Sequence, residues 1–427
     1  MKAISILLLA AAAPAAAFQP SAAGSARVRG TRVVLSARVW WNPFTWDEPE
    51  APVPKTPKIT SIADGFKGIS EEAKAMPPLG KGLRDAPHPE QTGLPVDIVR
   101  ACASLSQQIY NVESKDDFKL STGDYQVDLI AYDNHGALDA TNPAFAVAVA
   151  GDTLIAGWRG TNKLADAATD LAFAPVLDMS WFDKASELRA HAAITATVGS
   201  DLLSHMETII KEVEARDLKR VVFTGHSLGG GMAQVANLYA SARSNFPDVE
   251  IRTCAFAGVM TVLDVGDADK ATQDFVADVK ERSCNIMYGQ DIVPRLPGYM
   301  TYLDECVTDV LPKINEMIKK EVPVPGFIYE FVNVDERLQT AYEGGKKNPK
   351  VTELTHVAAR FRQISSLVYY DDATAEPIVL VDEGEHVGSM DGLSLSQYPY
   401  KPTDDPITTL LDAHLYFPKA LAYNVIE

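Results

Sequence analysis

The stretch Val221-Val222-Phe223-Thr224-Gly225-His226-Ser227-Leu228-Gly229-Gly230 runs from β-branched and aromatic residues into G-x-S-x-G. A helical pattern then follows through Met232, Val235, Ala236 and Tyr239. That order predicts a strand that stops, turns sharply and enters a helix with Ser227 at the tip, a nucleophile elbow. Gly225 and Gly229 flank the serine because the turn has no room for a Cβ and the helix must pass close to the strand. Ser227 then lies at a helix N-terminus, where free N–H groups and the helix dipole favour negative charge. A tetrahedral oxyanion needs such surroundings. Glycine is common, so a bare G-x-S-x-G arises by chance; the flanking strand and helix patterns give this one weight. The chemistry still requires a base, an orienting acid and an oxyanion donor.

Outward from this point, the 427 residues allow one large domain with extensions, and 46% hydrophobic content is ordinary for a globular chain. The formal net charge is −18, although Lys2, Arg27, Arg29, Arg32 and Arg38 precede the first acid, Asp47. So acidic a body argues against nucleic acid as a partner and against electrostatic adhesion to an anionic membrane. Four cysteines are too few and too scattered for a disulfide framework or a zinc site. Cys254 and Cys284 sit in apolar strand-like runs and read as buried thiols, with a Cys284–Cys306 pair left open. Past the leader, no run reaches the ~20 apolar residues a membrane span needs.

Residues 1–37 read as a leader. One lysine precedes an apolar core from Ile4 to Ala13 and the small residues Ala15-Ala16-Ala17, which is signal-peptide form. From Phe18 the composition turns rich in Ser, Ala and Arg, as in a transit peptide. Together they resemble the bipartite leaders of algae with endomembrane-enclosed plastids, with cuts at Ala17/Phe18 and near Ser36-Ala37. The alternative is plain secretion with a short basic propeptide. Residues 38–93 are rich in proline and charge and read as an extended linker. Within it, Trp40-Trp41-Asn42-Pro43-Phe44-Thr45-Trp46 either docks on the domain or anchors at a lipid interface.

The domain is expected over 94–427. A helix starts near Pro95, with apolar positions 98, 102, 105 and 109 on one face. Strands are expected at Gln126–Tyr132, Ile251–Ala257, Asn285–Tyr288, Ser365–Tyr370 and Pro377–Val381, and a hairpin joins Phe145–Val149 to Thr153–Trp158. A long amphipathic helix is expected over Leu188–Val213. An antiparallel start followed by alternating strands and helices indicates a mixed α/β sheet.

Several ordered pieces resemble the class 3 lipases, the α/β-hydrolase branch that includes fungal triacylglycerol lipases and plant plastid acylhydrolases. Trp158-Arg159-Gly160-Thr161, followed by Asp166 and Thr169-Asp170-Leu171, looks like that family's oxyanion-hole strand end and lid. Ala190-His191-Ala192-Ala193 is a degenerate form of the segment after the lid. The elbow, Gln290-Asp291-Ile292-Val293-Pro294-Arg295-Leu296-Pro297 and Asp412-Ala413-His414-Leu415-Tyr416 follow in family order. The resemblance implies an α/β-hydrolase fold, a mostly parallel central sheet flanked by helices, with a lid and an insertion-like region at 298–355. It departs from the family at Cys254-Ala255-Phe256-Ala257-Gly258-Val259, which stands where Phe-Gly-x-Pro-Arg is frequent.

Serine is a weak nucleophile until a base takes its proton, and the chain order in such folds is Ser, acid, His. The resemblance assigns Ser227, Asp291 and His414 to these roles. His356 resembles a structural segment, and His386 lies in an acidic run that reads as a solvated loop. His226 is expected to point away from the site and to pack or hydrogen-bond locally. Thr161 and the Leu228 backbone N–H would hold the oxyanion, and Arg159 would anchor its loop through Asp166 or Asp170. Leu164, Leu171 and Phe173 belong to a segment that reads either as a lid facing substrate or as core. The implied activity is a serine carboxylester hydrolase on glycerolipids at a lipid interface, needing no metal or cofactor. A small-ester hydrolase and a silent lipase-like binding domain are the alternatives.

Overall fold

A computed structural model describes residues 92–110, 112, 114–118, 127–134, 144–160, 176–179, 182–243, 246, 248–288, 291, 293–295, 298, 357, 360–370, 378–380 and 414. The leader, the linker up to residue 91, the aromatic patch at 40–46 and most of 298–355 lie outside these residues, as do Cys306, His356 and His386.

Strand β1 (Val127–Asp133) and the hairpin β2 (Phe145–Ala150) and β3 (Thr153–Trp158) are antiparallel, and the hairpin turns on Gly151 at φ 57°. From β3 the sheet continues parallel through β6 (Arg220–His226), β7 (Glu250–Phe256), β9 (Ser283–Tyr288) and β11 (Ser366–Tyr370). An antiparallel β12 (Ile378–Leu380) ends it, so the order among the described residues is β1-β2-β3-β6-β7-β9-β11-β12. Parallel neighbours need crossovers, and helices between β3, β6, β7 and β9 supply them on one face, while the helix before β1 covers the other. This is the α/β-hydrolase architecture that the resemblance implied, a largely parallel sheet between helical layers.

Side-chain alternation decides which layer each strand residue joins. Leu154, Ala156, Trp158, Val221 and Phe223 pack with α2 (Ala192–Ala215), α3 (Leu228–Arg243) and α4 (Lys270–Glu281). Ile155, Val222, Cys254, Cys284 and Val368 face the other way, onto α1 (Val96–Gln108). Cys102 of α1 meets Cys254 and Cys284 there as free buried thiols, and hydrogen bonds from Cys102 and Cys284, with burial, push the Cys254 thiol well up. Pro95 precedes α1 as its cap and is not its first residue, while Ile98, Cys102, Leu105 and Ile109 are all buried.

The helix expected from Leu188 begins later. Arg189–His191 forms β5, which pairs with β4 (Val176–Asp178) and β8 (Val262–Leu263). With β10 (Phe361–Arg362) these make a small antiparallel sheet in the order β10-β8-β5-β4. The apolar residues Leu188 and Ala190 suit either period; the hydrogen bond from the His191 N–H to the Thr261 carbonyl, 2.9 Å, settles it as strand. His191 then caps α2, its ring nitrogen accepting from the Ile194 N–H at 3.4 Å. Met179 and Phe182, which follow the stretch carrying Leu164, Leu171 and Phe173, lie in the core.

Buried amides fix the loop after β7, where the sequence departs from the family pattern. Asn285 accepts from the Gly258 N–H at 2.9 Å and donates to the Gly258 carbonyl at 2.9 Å. Gln363 donates to that same carbonyl at 2.9 Å and to the Pro294 carbonyl at 2.8 Å. Gln234 of α3 accepts from the Ile364 N–H at 3.3 Å. These bonds tie β9, the loop after β7 and the turn carrying Pro294 into one unit. Replacing Asn285 by Leu strands the Gly258 N–H in the interior, which costs about 3 kcal/mol. A urea titration should show the midpoint falling accordingly with an unchanged m-value; an unmoved midpoint would mean that the amide holds nothing.

Candidate active site

Strand β6 ends at His226, α3 begins at Leu228, and Ser227 between them takes φ 61°. A positive φ is strained for a side-chain-bearing residue, so the surroundings must impose it. A Cβ on Gly225 would lie 2.4 Å from the Gly229 backbone, and one on Gly229 would lie 2.1 Å from the Trp158 carbonyl oxygen. The strained serine is held at both ends. Its N–H donates to the Phe256 carbonyl at 3.0 Å, and its carbonyl accepts from Gly230 at 3.0 Å and Gly231 at 3.3 Å. The Leu228 N–H, first in the helix, meets no acceptor among the described residues. That is the donor an oxyanion needs.

The end of β3 approaches the same serine. A Cβ on Gly160 would lie 3.0 Å from the Ser227 Cβ and 2.6 Å from the His226 carbonyl oxygen. Thr161, the next residue, lies outside the described residues, as do Leu164, Asp166, Asp170, Leu171 and Phe173. Arg159 is buried, and its described electrostatic neighbours are Tyr110 and Tyr132.

Asp291 follows β9 at the carboxyl end of the parallel strands, where open α/β sheets build their sites. One carboxylate oxygen accepts from the Val293 N–H at 2.9 Å, and the other meets His414 Nδ1 at 2.8 Å. Both residues are only 1% exposed. Hydrogen bonding through Nδ1 leaves His414 Nε2 as the working nitrogen. Among the described residues, Ser227 Oγ and His414 Nε2 are both buried without a hydrogen-bond partner, each other included. Apo catalytic bonds are often loose and tighten on substrate.

His226 is the correction. Its ring bonds reach Tyr110 and His414, both more than a hundred residues away in the chain, so they are not local, and it does not turn away from the site. Along β6 it alternates with Val222 and Thr224, onto the α1 face. There its Nδ1 lies 3.1 Å from Tyr110 Oη and its Nε2 lies 3.0 Å from the His414 carbonyl oxygen. The two imidazoles stack, centroids 4.3 Å apart and tilted by 32°. Strand parity could have found it, since Val222 is apolar and Thr224 and His226 share its side. Burial first, and the neighbouring His414 second, hold the His226 imidazole well below the ordinary histidine range. Burial likewise pushes the Tyr110 phenol up. Neither group is charged near neutrality.

Residues 155–301 match the lipase (class 3) family model, a span that contains Ser227 and Asp291 but not His414. No curated protein matches the chain. Lipase II from Rhizopus niveus is 18% identical over 48% of this chain and 76% of its own, at a TM-score of 0.38. The Rhizomucor miehei lipase propeptide complex is 19% identical over 50% of this chain and 65% of that one, at 0.37. Lip2 lipase from Yarrowia lipolytica is 18% identical over 47% and 73%, at 0.38. The family match supports ester hydrolysis of lipids. Among the described residues no cluster of His, Cys, Asp or Glu has the makings of a metal site, and no helix is long and apolar enough to cross a membrane.

The neutral state of His226 links stability to pH. Tyr110, itself beside Arg159, meets it on one side, and His414, itself bonded to Asp291, on the other. Its folded pKa is depressed, so its contribution is full above the unfolded value of 6.5 and declines as pH falls below it. The decline is about 1.4 kcal/mol per pH unit until the folded chain also takes the proton. Urea unfolding at neutral and mildly acidic pH should show this slope in the native chain and a shallower one in His226→Gln. Equal slopes would mean that His226 is already charged in the fold.

Proposed function

We propose that the chain is a serine carboxylester hydrolase that releases fatty acids from glycerolipids through an acyl-enzyme. The observation that carries this reading is the buried Asp291–His414 hydrogen bond of 2.8 Å beside a serine held at φ 61° on an elbow. Ser227 Oγ attacks the ester carbonyl carbon while His414 Nε2 takes its proton. Asp291 holds the Nδ1–H tautomer and stabilises the imidazolium. The carbonyl oxygen, now an anion, is met by the Leu228 N–H and by the backbone N–H and hydroxyl of Thr161. Collapse of the tetrahedral adduct breaks the bond to the alcohol oxygen, which leaves with the proton from His414. Water then attacks the acyl-enzyme with His414 again as base, and the fatty acid departs.

The class 3 lipase match over 155–301 supports a lipid ester as the substrate. Support for galactolipids or phospholipids over storage triacylglycerol comes from the leader alone, whose reading directs the chain to a plastid. In this account Leu164, Leu171 and Phe173 form the substrate-facing lid, and 298–355 shapes access for the acyl chain or head group.

The test offers the chain from residue 38 onward a mixed membrane glycerolipid extract and a small chromogenic ester. Released fatty acids and lyso-lipids are read by mass spectrometry. Ser227→Ala should reduce lipid hydrolysis to background, and Asp291→Asn should lower kcat by about 10³–10⁴-fold. Hydrolysis of the small ester alone would replace this reading with that of an esterase. No serine-dependent product from either would leave a silent binding domain.

A further inference from the structure

We propose that His226 is a positioning residue for His414, held as its Nε2–H tautomer by Tyr110, in a relay that joins the end of β3 to the His414 main chain. The proposal rests on the hydrolase reading above and adds a residue to it.

The hydrogen-bond roles are fixed by elimination. His226 Nε2 faces the His414 carbonyl oxygen, which can only accept, so Nε2 carries the hydrogen. A neutral imidazole then has a lone pair at Nδ1 and needs a donor there. Tyr110 Oη lies 3.1 Å away with its proton in place, closer to Nδ1 than to its other acceptor, the His226 carbonyl oxygen at 3.5 Å. The tyrosine oxygen in turn accepts from the Gly160 backbone N–H. The chain therefore runs from the Gly160 N–H to the Tyr110 hydroxyl, through His226, to the His414 carbonyl. Each member is both pinned and polarised by the one before it.

This relay crosses every part of the site. Gly160 precedes Thr161, the expected oxyanion residue, and its backbone lies against Ser227. His226 is the residue before the serine, and it holds the main chain of the residue proposed as base. Glycine at 160 is required by the relay itself, because a Cβ there would lie 2.1 Å from Tyr110 Oη. His414 is thus gripped at three points: its carbonyl by His226 Nε2, its ring face by the His226 ring 4.3 Å away, and its Nδ1 by Asp291. Rotation or retreat of the imidazole breaks at least one of these. The neutral state of His226 also matters during turnover, since a cation stacked on the imidazolium of His414 would oppose the proton transfer.

The test compares His226→Phe, His226→Gln and Tyr110→Phe in the full chain, with thermal melts to confirm folding. Phenylalanine keeps the ring against His414 but loses the N–H; glutamine restores a donor at the reach of Nε2. With a short-chain chromogenic ester, His226→Phe should lower kcat about 10- to 100-fold with little change in KM. His226→Gln should recover most of that loss. Tyr110→Phe removes the proton that favours neutral His226, so His226 protonates at higher pH and the acid limb of the kcat profile moves upward. Nitrogen-15 NMR of histidine-labelled chain reads the tautomer without turnover and should find His226 as Nε2–H. Undiminished kcat in His226→Phe, equal losses in the Phe and Gln variants, or a Tyr110→Phe acid limb that stays put would each overturn the proposal. An Nδ1–H tautomer at His226 would overturn it too, even in a chain that hydrolyses no ester.

Discussion

At Gly225 and Gly229 the end of β6, the first turn of α3 and the end of β3 come closer than any side chain permits. A Cβ on Gly229 would overlap the Trp158 carbonyl oxygen at 2.1 Å, and one on Gly225 would overlap the Gly229 backbone at 2.4 Å. This approach forces Ser227 to φ 61° and puts it at the helix N-terminus. Strain of this kind costs on the order of 1–3 kcal/mol and persists only where neighbours over-determine it. Here they do, since the serine N–H and carbonyl are both bonded, to Phe256 and to Gly230 and Gly231.

The parallel strands give the elbow its companions. Ser227 follows β6, Asp291 follows β9 and Gly160 follows β3, so all three emerge at one edge of the sheet. His414 comes from far along the chain and is fixed through polar contacts: Asp291 at its ring and His226 at its carbonyl. A buried polar group is stable only when its partners are present. Asn285 and Gln363 satisfy that condition around the loop after β7, binding Gly258 and the Pro294 carbonyl. The stiffness of the aspartate loop therefore depends on the amides of Asn285, on the strand that leads into it, and of Gln363, beside the neighbouring strand β11.

Much of this was legible in the residues because it rests on local rules. The alternation in Phe145–Ala150 and Thr153–Trp158, with Gly151 between, marked the hairpin, and the glycines of the elbow marked a turn without room for a Cβ. Asp291 was identified by the resemblance of Gln290–Pro297 to a family motif, and the pairing of Asp291 with His414 across more than a hundred residues followed from motif order rather than periodicity. What escaped was set by tertiary partners. Arg189–His191 reads as the start of a helix until β4 and β8 offer it a sheet. His226 looked local because its side of β6 has no meaning until α1 and Tyr110 are placed against it. The polar amides of Asn285 and Gln363 carry no pattern that announces which backbone groups they will meet.

The central claim is that Ser227 is a nucleophile activated by His414. Its most direct test is covalent trapping with a 4-nitrophenyl alkylphosphonate, in which an activated serine oxygen bonds to phosphorus and expels 4-nitrophenolate. The account predicts one equivalent of nitrophenolate, one adduct per chain, its location on Ser227 by peptide mass mapping, and none of these in His414→Ala. An adduct on another residue, or labelling of Ser227 at the native rate without His414, would contradict it.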